Sequence, residues 1–189
     1  MKYTLIHLIL CFSLFYTSCD TIAQKNAGII SYFKSGDTIY VLLADHTKED
    51  RGWASFGGTH IAGESNEQTA IREFHEETKN LFQDQNISEK IKKSPRIEQK
   101  TFVSFVVEVD FVPVHKIMNT PIRGIHYNER GNYAWVPLLE IFRAINTAKN
   151  GEFYLKKIYL PKNAPNNKLY KPFVKVMQQA QTNKIFDIL

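Results

Sequence analysis

Cysteine is almost absent: the 189-residue chain has two, Cys11 and Cys19, both close to its start. The remaining residues therefore hold no disulfide and no thiol nucleophile, which removes cysteine chemistry from the functions open to them. A long apolar run is lacking too. The best stretch, Leu5 to Tyr16, is interrupted by His7 and Ser13, and a helix that crosses a bilayer needs about 20 apolar residues. There is no internal repeat and no low-complexity tract.

What is present suits one globular unit, with 43% hydrophobic and 23% charged residues in a length that buries a single core. The net charge is +5, but the lysines are dispersed, with a loose C-terminal set at Lys156, Lys157, Lys162, Lys168, Lys171, Lys175 and Lys184. Such a surface mildly attracts phosphorylated small molecules, and no nucleic-acid partner is expected from it.

Residues 1–23 read as an export leader: Met1-Lys2 supplies a minimal positive start, Leu5 to Tyr16 an apolar centre, and small or polar residues follow. Two exits remain open. Tyr16-Thr17-Ser18-Cys19 resembles the lipobox of bacterial lipoproteins and would place a lipid on Cys19. Thr21-Ile22-Ala23 offers an ordinary cleavage site before Gln24. Either route puts the mature domain, 24–189, in the bacterial envelope, as a periplasmic or lipid-anchored protein, or outside the cell.

Ala27 to Phe33 and Thr38 to Ala44 are β-branched and aromatic, with turn residues Lys34-Ser35-Gly36-Asp37 between them, which predicts a hairpin. A polar loop from Asp45 to Gly52 leads to a short strand over Trp53 to Phe56. A helix follows over Asn66 to Lys79, with Ser65 as N-cap, Gln68 completing a capping box, and Ala70, Ile71, Phe74, Thr78 and Leu81 as its apolar stripe. Ile87 to Ser94 reads as a loop or short helix. Thr101 to Val109 is a strand covered on both faces. Tyr133 to Val136 is another strand, Pro137 to Thr147 a helix, and Pro172 to Gln181 a last helix. Interleaved strands and helices predict an α/β or α+β fold.

The charge of the first helix stands out. Glu64, Glu67, Glu73, Glu76 and Glu77 fall within fourteen residues of a net basic chain. Residues three and four apart share a helical face, so Glu73, Glu76 and Glu77 repel one another by roughly 0.2–0.5 kcal/mol per pair unless a cation joins them. Oxygen donors without histidine or cysteine at ligand spacing suit a hard divalent ion, Mg²⁺ or Mn²⁺. Gly57-Gly58 lets a backbone carbonyl approach, and Arg72 and Glu64 can pair to hold the loop against the helix.

Gly58, five residues, Glu64, seven residues, then Arg72-Glu73-Phe74-His75-Glu76-Glu77 resembles the box of the Nudix hydrolases. Lys79 stands where the box closes with glycine and Asn80 where it ends with an apolar residue. Replacing that glycine costs about 1 kcal/mol or shifts the helix cap to Asn80. Tyr133 to Ile141 resembles the family's late strand-to-helix passage, so the likeness runs from Ala27 to Thr147. It implies an α/β/α sandwich with a mixed β-sheet. It also implies hydrolysis of a pyrophosphate bond in a nucleoside diphosphate linked to another moiety. Glu73, Glu76, Glu77 and the Gly58 carbonyl would be metal ligands, with Glu73 alternatively the general base, and Glu64 and Arg72 an orienting pair. A further carboxylate is expected from Glu129 first, then Glu108 or Glu98.

Four aromatic residues, Trp53, Phe56, Tyr127 and Tyr133, could stack on a base, with packing as their default. His60 reads as an exposed loop residue and His75 as pointing to solvent. A rival reading is a domain of the same fold that binds a nucleotide or nucleotide sugar without cleaving it. A second is an exported scaffold or adhesive protein. The substrate and the oligomeric state have no signal in the sequence.

Overall fold

The computed structural model describes residues 24–46, 51–121 and 129–189. The leader residues 1–23 and Tyr127 lie outside them. Strands β1 (Asn26–Ser35) and β2 (Thr38–His46) form the expected hairpin, in register from Tyr32 opposite Val41 to Ser35 opposite Thr38. Gly36, at φ +55, supplies the left-handed residue of the turn.

Strand β6 (Phe102–Glu108) runs parallel to β1, from Asn26 opposite Phe102 to Tyr32 opposite Glu108, and the other strand-to-strand pairings among the described residues are antiparallel. The order is β3-β2-β1-β6-β5, with β3 at Trp53–Ala54 and β5 at Arg96–Glu98. In addition β4 (Phe56–Gly58) pairs with β1, and β7 (Arg130–Pro137) pairs with β2. Because β6 takes one edge of β1, β2 and β4 must share the other. They part there, and the seam between them opens beside the first helix.

Helices cover both faces. On one, α1 (Asn66–Glu77), α2 (Ile87–Lys93) and α3 (Val114–Asn119) enclose Phe56, Phe74, Phe82, Val103, Phe105 and Tyr133. On the other, α4 (Leu138–Asn146) and α5 (Lys171–Thr182) enclose Ile30, Val41, Val106, Ile141 and Met177. This is a mixed sheet between two helical layers, the sandwich the sequence implies. Alternation along β6 feeds both cores, with Val103, Phe105 and Val107 on the α1 side and Val106 on the other.

Three details differ from the sequence reading, and at Ile87 to Lys93 the structure takes the second of the two expected alternatives, a short helix. β2 continues through Asp45 to His46, where a loop is expected, because β7 starts at Arg130 and pairs that far, across an irregularity between Ala44 and His46. Ile87 to Lys93 is a helix that buries Ile87 and Ile91. Strand β5 and helix α3 have three and six residues, too few to show a period. The Asn- and Lys-rich stretch before α5 is tied to β3, since Trp53 N–H donates to Lys168 O at 2.7 Å and Tyr170 N–H to Trp53 O at 2.9 Å.

Candidate active site

Helix α1 begins where the capping box places it. Gln68 N–H donates to Ser65 Oγ at 3.2 Å and Ser65 N–H to Gln68 Oε1 at 2.7 Å. At the other end Thr78 caps the helix, with Asn80 N–H donating to His75 O at 2.8 Å and Lys79 N–H to Glu76 O at 3.3 Å. This pair of bonds is a Schellman closure, which wants a left-handed residue after the cap. Lys79 itself takes that conformation, at φ 56, with Asn80 at φ 60 beside it. Of the two alternatives the sequence leaves open, the cap therefore stays in place with Lys79 in the left-handed conformation, and it does not shift to Asn80.

The loop before α1 is held by Arg72. Its Nε donates to Glu64 Oε1 at 2.8 Å, its Nη2 to Glu64 Oε2 at 3.2 Å and to Thr59 O at 2.9 Å. Thr69 Oγ1 adds a 2.8 Å bond to Glu64. These donors, Arg72 first, draw the Glu64 carboxyl down to about 2. The third donor nitrogen, Arg72 Nη1, reaches Glu73 Oε1 at 2.8 Å and Glu76 Oε2 at 3.3 Å.

The lack of a side chain at Gly58 is what lets Glu73 sit where it does. A Cβ there would lie 2.4 Å from the carboxylate carbon and both oxygens of Glu73, so that carboxylate rests on the glycine backbone. Burial pushes the Glu73 carboxyl up; Arg72 pulls it down, and Glu77 and Glu76 push it further up. Glu73 and Glu76 thus meet at one nitrogen of Arg72, and Glu73 lies on the Gly58 backbone; carboxylate and carbonyl oxygens are the donor type that a hard divalent ion takes.

Glu77 is placed differently. Its side chain is 2% exposed and paired with an equally buried Arg130, whose Nε donates to Glu77 Oε1 at 2.7 Å. Gly57 N–H donates to Glu77 Oε2 at 2.8 Å, and Tyr133 OH to the Glu77 carbonyl at 2.6 Å. Burial pushes this carboxyl up against the pull of Arg130, and the charge of Glu129 adds to the push. Among the described residues no three His, Cys, Asp or Glu side chains converge as a metal cluster. Four carboxyl groups, Glu64, Glu73, Glu76 and Glu77, thus share two guanidinium groups, Arg72 and Arg130.

Of the outer carboxylates, Glu129 is exposed and close enough to act electrostatically on Glu77. Glu108 bonds Tyr32, whose ring belongs to the opposite core, and Glu98 pairs with Lys25 and Arg96. Neither of these two joins the box. Trp53, Phe56 and Tyr133 are core residues. His60 is part-buried, its Nδ1 3.4 Å from Thr69 Oγ1. His75 does not point to solvent: its Nδ1 is buried, with no partner among the described residues, and burial lowers its pKa.

The sequence reading missed Arg130, and with it Asp45. Asp45 is buried and accepts from Gly131 N–H at 3.1 Å, Asn132 N–H at 2.5 Å and Asn132 Nδ2 at 3.0 Å, fixing the start of β7. One signal was available: Glu77 is seven residues from Ala70 and three from Phe74, on the apolar stripe itself, where a carboxylate needs a buried cation. Behind Arg130 lies a cavity of about 250 Å³ bounded by His46, Phe102, Tyr170 and Phe173.

A sequence profile described as the NUDIX domain matches residues 23–157. Comparison with curated protein sequences gives no match. Among solved structures, the fold is similar to a Caenorhabditis elegans Ap4A hydrolase in a binary complex. Identity is 16%, coverage 87% of this chain and 98% of that one, and the TM-score 0.51. It is also similar to a MutT/nudix family protein from Enterococcus faecalis, at 16% identity over 87% of this chain and 62% of that one, with a TM-score of 0.51. These likenesses carry the fold, and the profile covers most of the chain, including every residue of the box and Arg130: the chain belongs to the Nudix family.

Proposed function

We propose that the protein is a divalent-metal-dependent Nudix hydrolase that cleaves a pyrophosphate bond in a nucleoside diphosphate derivative. The observation that carries this reading is the Glu73 carboxylate resting on Gly58 with Glu76 beside it, in a site where four carboxyl groups share two guanidinium groups. Glu73, Glu76 and the Gly58 carbonyl would hold Mg²⁺ or Mn²⁺. When bound, the ion neutralises phosphate charge and lowers the pKa of a bound water. Arg72 and Glu64 hold the loop that follows Gly58. Glu129 is the first candidate for an added general base, in view of its electrostatic reach to Glu77. The cavity behind Arg130 has room for one ring system of the substrate.

The name of the nematode relative puts dinucleoside polyphosphates first among substrates to try. ADP-ribose, NAD and nucleoside triphosphates complete the panel. Products are identified by mass after incubation with Mg²⁺ or Mn²⁺, with Glu73→Gln as control. Absence of metal-dependent cleavage across the panel refutes the reading.

A second reading, nucleotide binding without hydrolysis, draws on the engagement of Glu77 by Arg130 and the lack of a three-carboxylate cluster among the described residues. Ligand-induced thermal stabilisation without turnover would favour it. Residues 1–23 are proposed as an export leader, so the substrate would be one that reaches the envelope or the exterior. Intact mass of the mature protein separates a chain starting at Gln24 from one lipidated on Cys19.

A further inference from the structure

We propose that in this chain Glu77 is not a metal ligand but half of a buried clamp with Arg130, which leaves Glu73, Glu76 and the Gly58 backbone as the cation-binding set. The metal half of this statement rests on the hydrolase reading above; the clamp half does not. It departs from the role that the box resemblance implies for Glu77.

Both Glu77 oxygens are already engaged, Oε1 by Arg130 Nε at 2.7 Å and Oε2 by Gly57 N–H at 2.8 Å. Strand β7 also grips the residue's backbone, through Tyr133 OH on the Glu77 carbonyl. Arg130 is equally committed. Its Nη2 donates to Ser55 O at 3.1 Å, its Nη1 lies 2.8 Å from His46 Nε2, and its guanidinium stands 5.9 Å from the Phe56 ring centroid. The clamp therefore joins α1, β2, β4 and β7 at the seam where the sheet parts. Turning Glu77 out toward a metal would strand a guanidinium that is 2% exposed, which is strongly unfavourable in a buried pair. Glu73 and Glu76 carry no such obligation. They share one nitrogen of Arg72, and their side chains are 12% and 22% exposed.

The two roles predict opposite signs in metal-free protein. A carboxylate that waits for a cation is repelled by its neighbours, so neutralising it raises stability. A clamp residue is needed, so removing it lowers stability. Thermal unfolding of the full domain in EDTA is measured for Glu77→Met, Arg130→Met, the double variant, and Glu76→Gln. Each clamp single should lower Tm by roughly 6–20 °C. The double variant should recover most of that loss, since two apolar groups of similar size leave no charge unpaired. Glu76→Gln should leave Tm unchanged or raise it.

Mn²⁺ binding followed by electron paramagnetic resonance then reads the metal half. The double variant should keep its affinity within about threefold, whereas Glu73→Gln should lose about tenfold or more. The clamp is overturned if Glu77→Met raises Tm or if the two substitutions act additively. The reduced ligand set is overturned if the double variant loses Mn²⁺ as fully as Glu73→Gln. A wild-type protein that binds no Mn²⁺ would sink the hydrolase reading and the ligand assignment with it. The thermal cycle would still decide the clamp. If the singles do not fold, the folded double variant is itself the expected result, and failure of the double to fold as well refutes the recovery.

Discussion

Lys79→Gly should cost the protein little or no stability, which is unusual for a substitution that deletes a whole side chain. Lys79 closes the Schellman turn of α1 at φ 56, a conformation that costs a residue with a Cβ roughly 1–2 kcal/mol. Glycine removes that cost but restores chain freedom to the unfolded state, which takes back about 0.5–1 kcal/mol. The lysine also has a compensating contact: its Nζ donates to Met118 O at 3.2 Å and ties α1 to α3. A bond of that length contributes about 0.5 kcal/mol. The balance is close, so a single variant is a poor test. Lys79→Ala loses the same tether yet keeps the Cβ, and the difference between the two variants isolates the backbone. Lys79→Gly should unfold about 2–4 °C above Lys79→Ala in thermal denaturation followed by circular dichroism, the equivalent of about 1 kcal/mol in a chain of this size. Equal Tm values for the two would refute the assignment of strain to this position.

Gly58→Ala should lower activity by at least about tenfold with little loss of helix content. The added Cβ meets the Glu73 carboxylate at 2.4 Å and must displace it, and misplacing one catalytic group is costly; steady-state kinetics with circular dichroism check both. Arg72→Ala should weaken turnover more than Mn²⁺ affinity, because Arg72 holds the loop through Glu64 and Thr59 rather than contacting metal; parallel kinetics and metal titration separate the two. In acid, the Glu64 carboxyl is held at about 2, below its ordinary 4.5. Its contribution is complete above 4.5 and fades as pH falls through 2, so Glu64→Gln should narrow its stability gap to the parent on titration through that window. Glu73 has the opposite sign. Its carboxyl is raised, so its contribution is complete below the ordinary carboxylate range and is lost as pH rises through the raised value. Metal-free Glu73→Gln should therefore gain on the parent as the pH is raised, in the same thermal assay.

Local features were legible and distant ones were not. The capping box and the hairpin turn are written in contiguous residues, and both hold in the structure; within the box, Glu73 lies against Gly58 while Glu77 turns to Arg130. Glu64 and Arg72 lie eight residues apart, so the end of a loop and about two helical turns suffice to bring them together. Arg130 is 53 residues from Glu77 and His46 is 84 from Arg130; no periodicity reports such a meeting. The extension of β2 failed for the same reason. Asp45 looks like loop chemistry by itself, and only its partners on β7 make it a buried acceptor.

The three glutamates of the box show how little separates a ligand from a clamp. At about 100° per residue, Glu77 falls only about 20° from Ala70 around the axis of α1, Glu73 about 60° and Glu76 about 120°. Ala70 is fully buried and marks the inward direction. Side-chain exposure follows the same order, at 2%, 12% and 22% for Glu77, Glu73 and Glu76. Burial of a carboxylate is tolerated only with a charged partner or a proton, so the inward glutamate needed Arg130 while the two at the rim could share Arg72. Helix phase alone thus divides one acidic run into an inner residue tied to β7 through Arg130 and outer residues held at the rim by Arg72. It follows that moving the charge by one position should exchange the roles only if the partner moves too. In a Glu73→Gln background, a new carboxylate at fully buried Phe74 would meet no guanidinium at its angle, so it should lower Tm and should not restore Mn²⁺ binding.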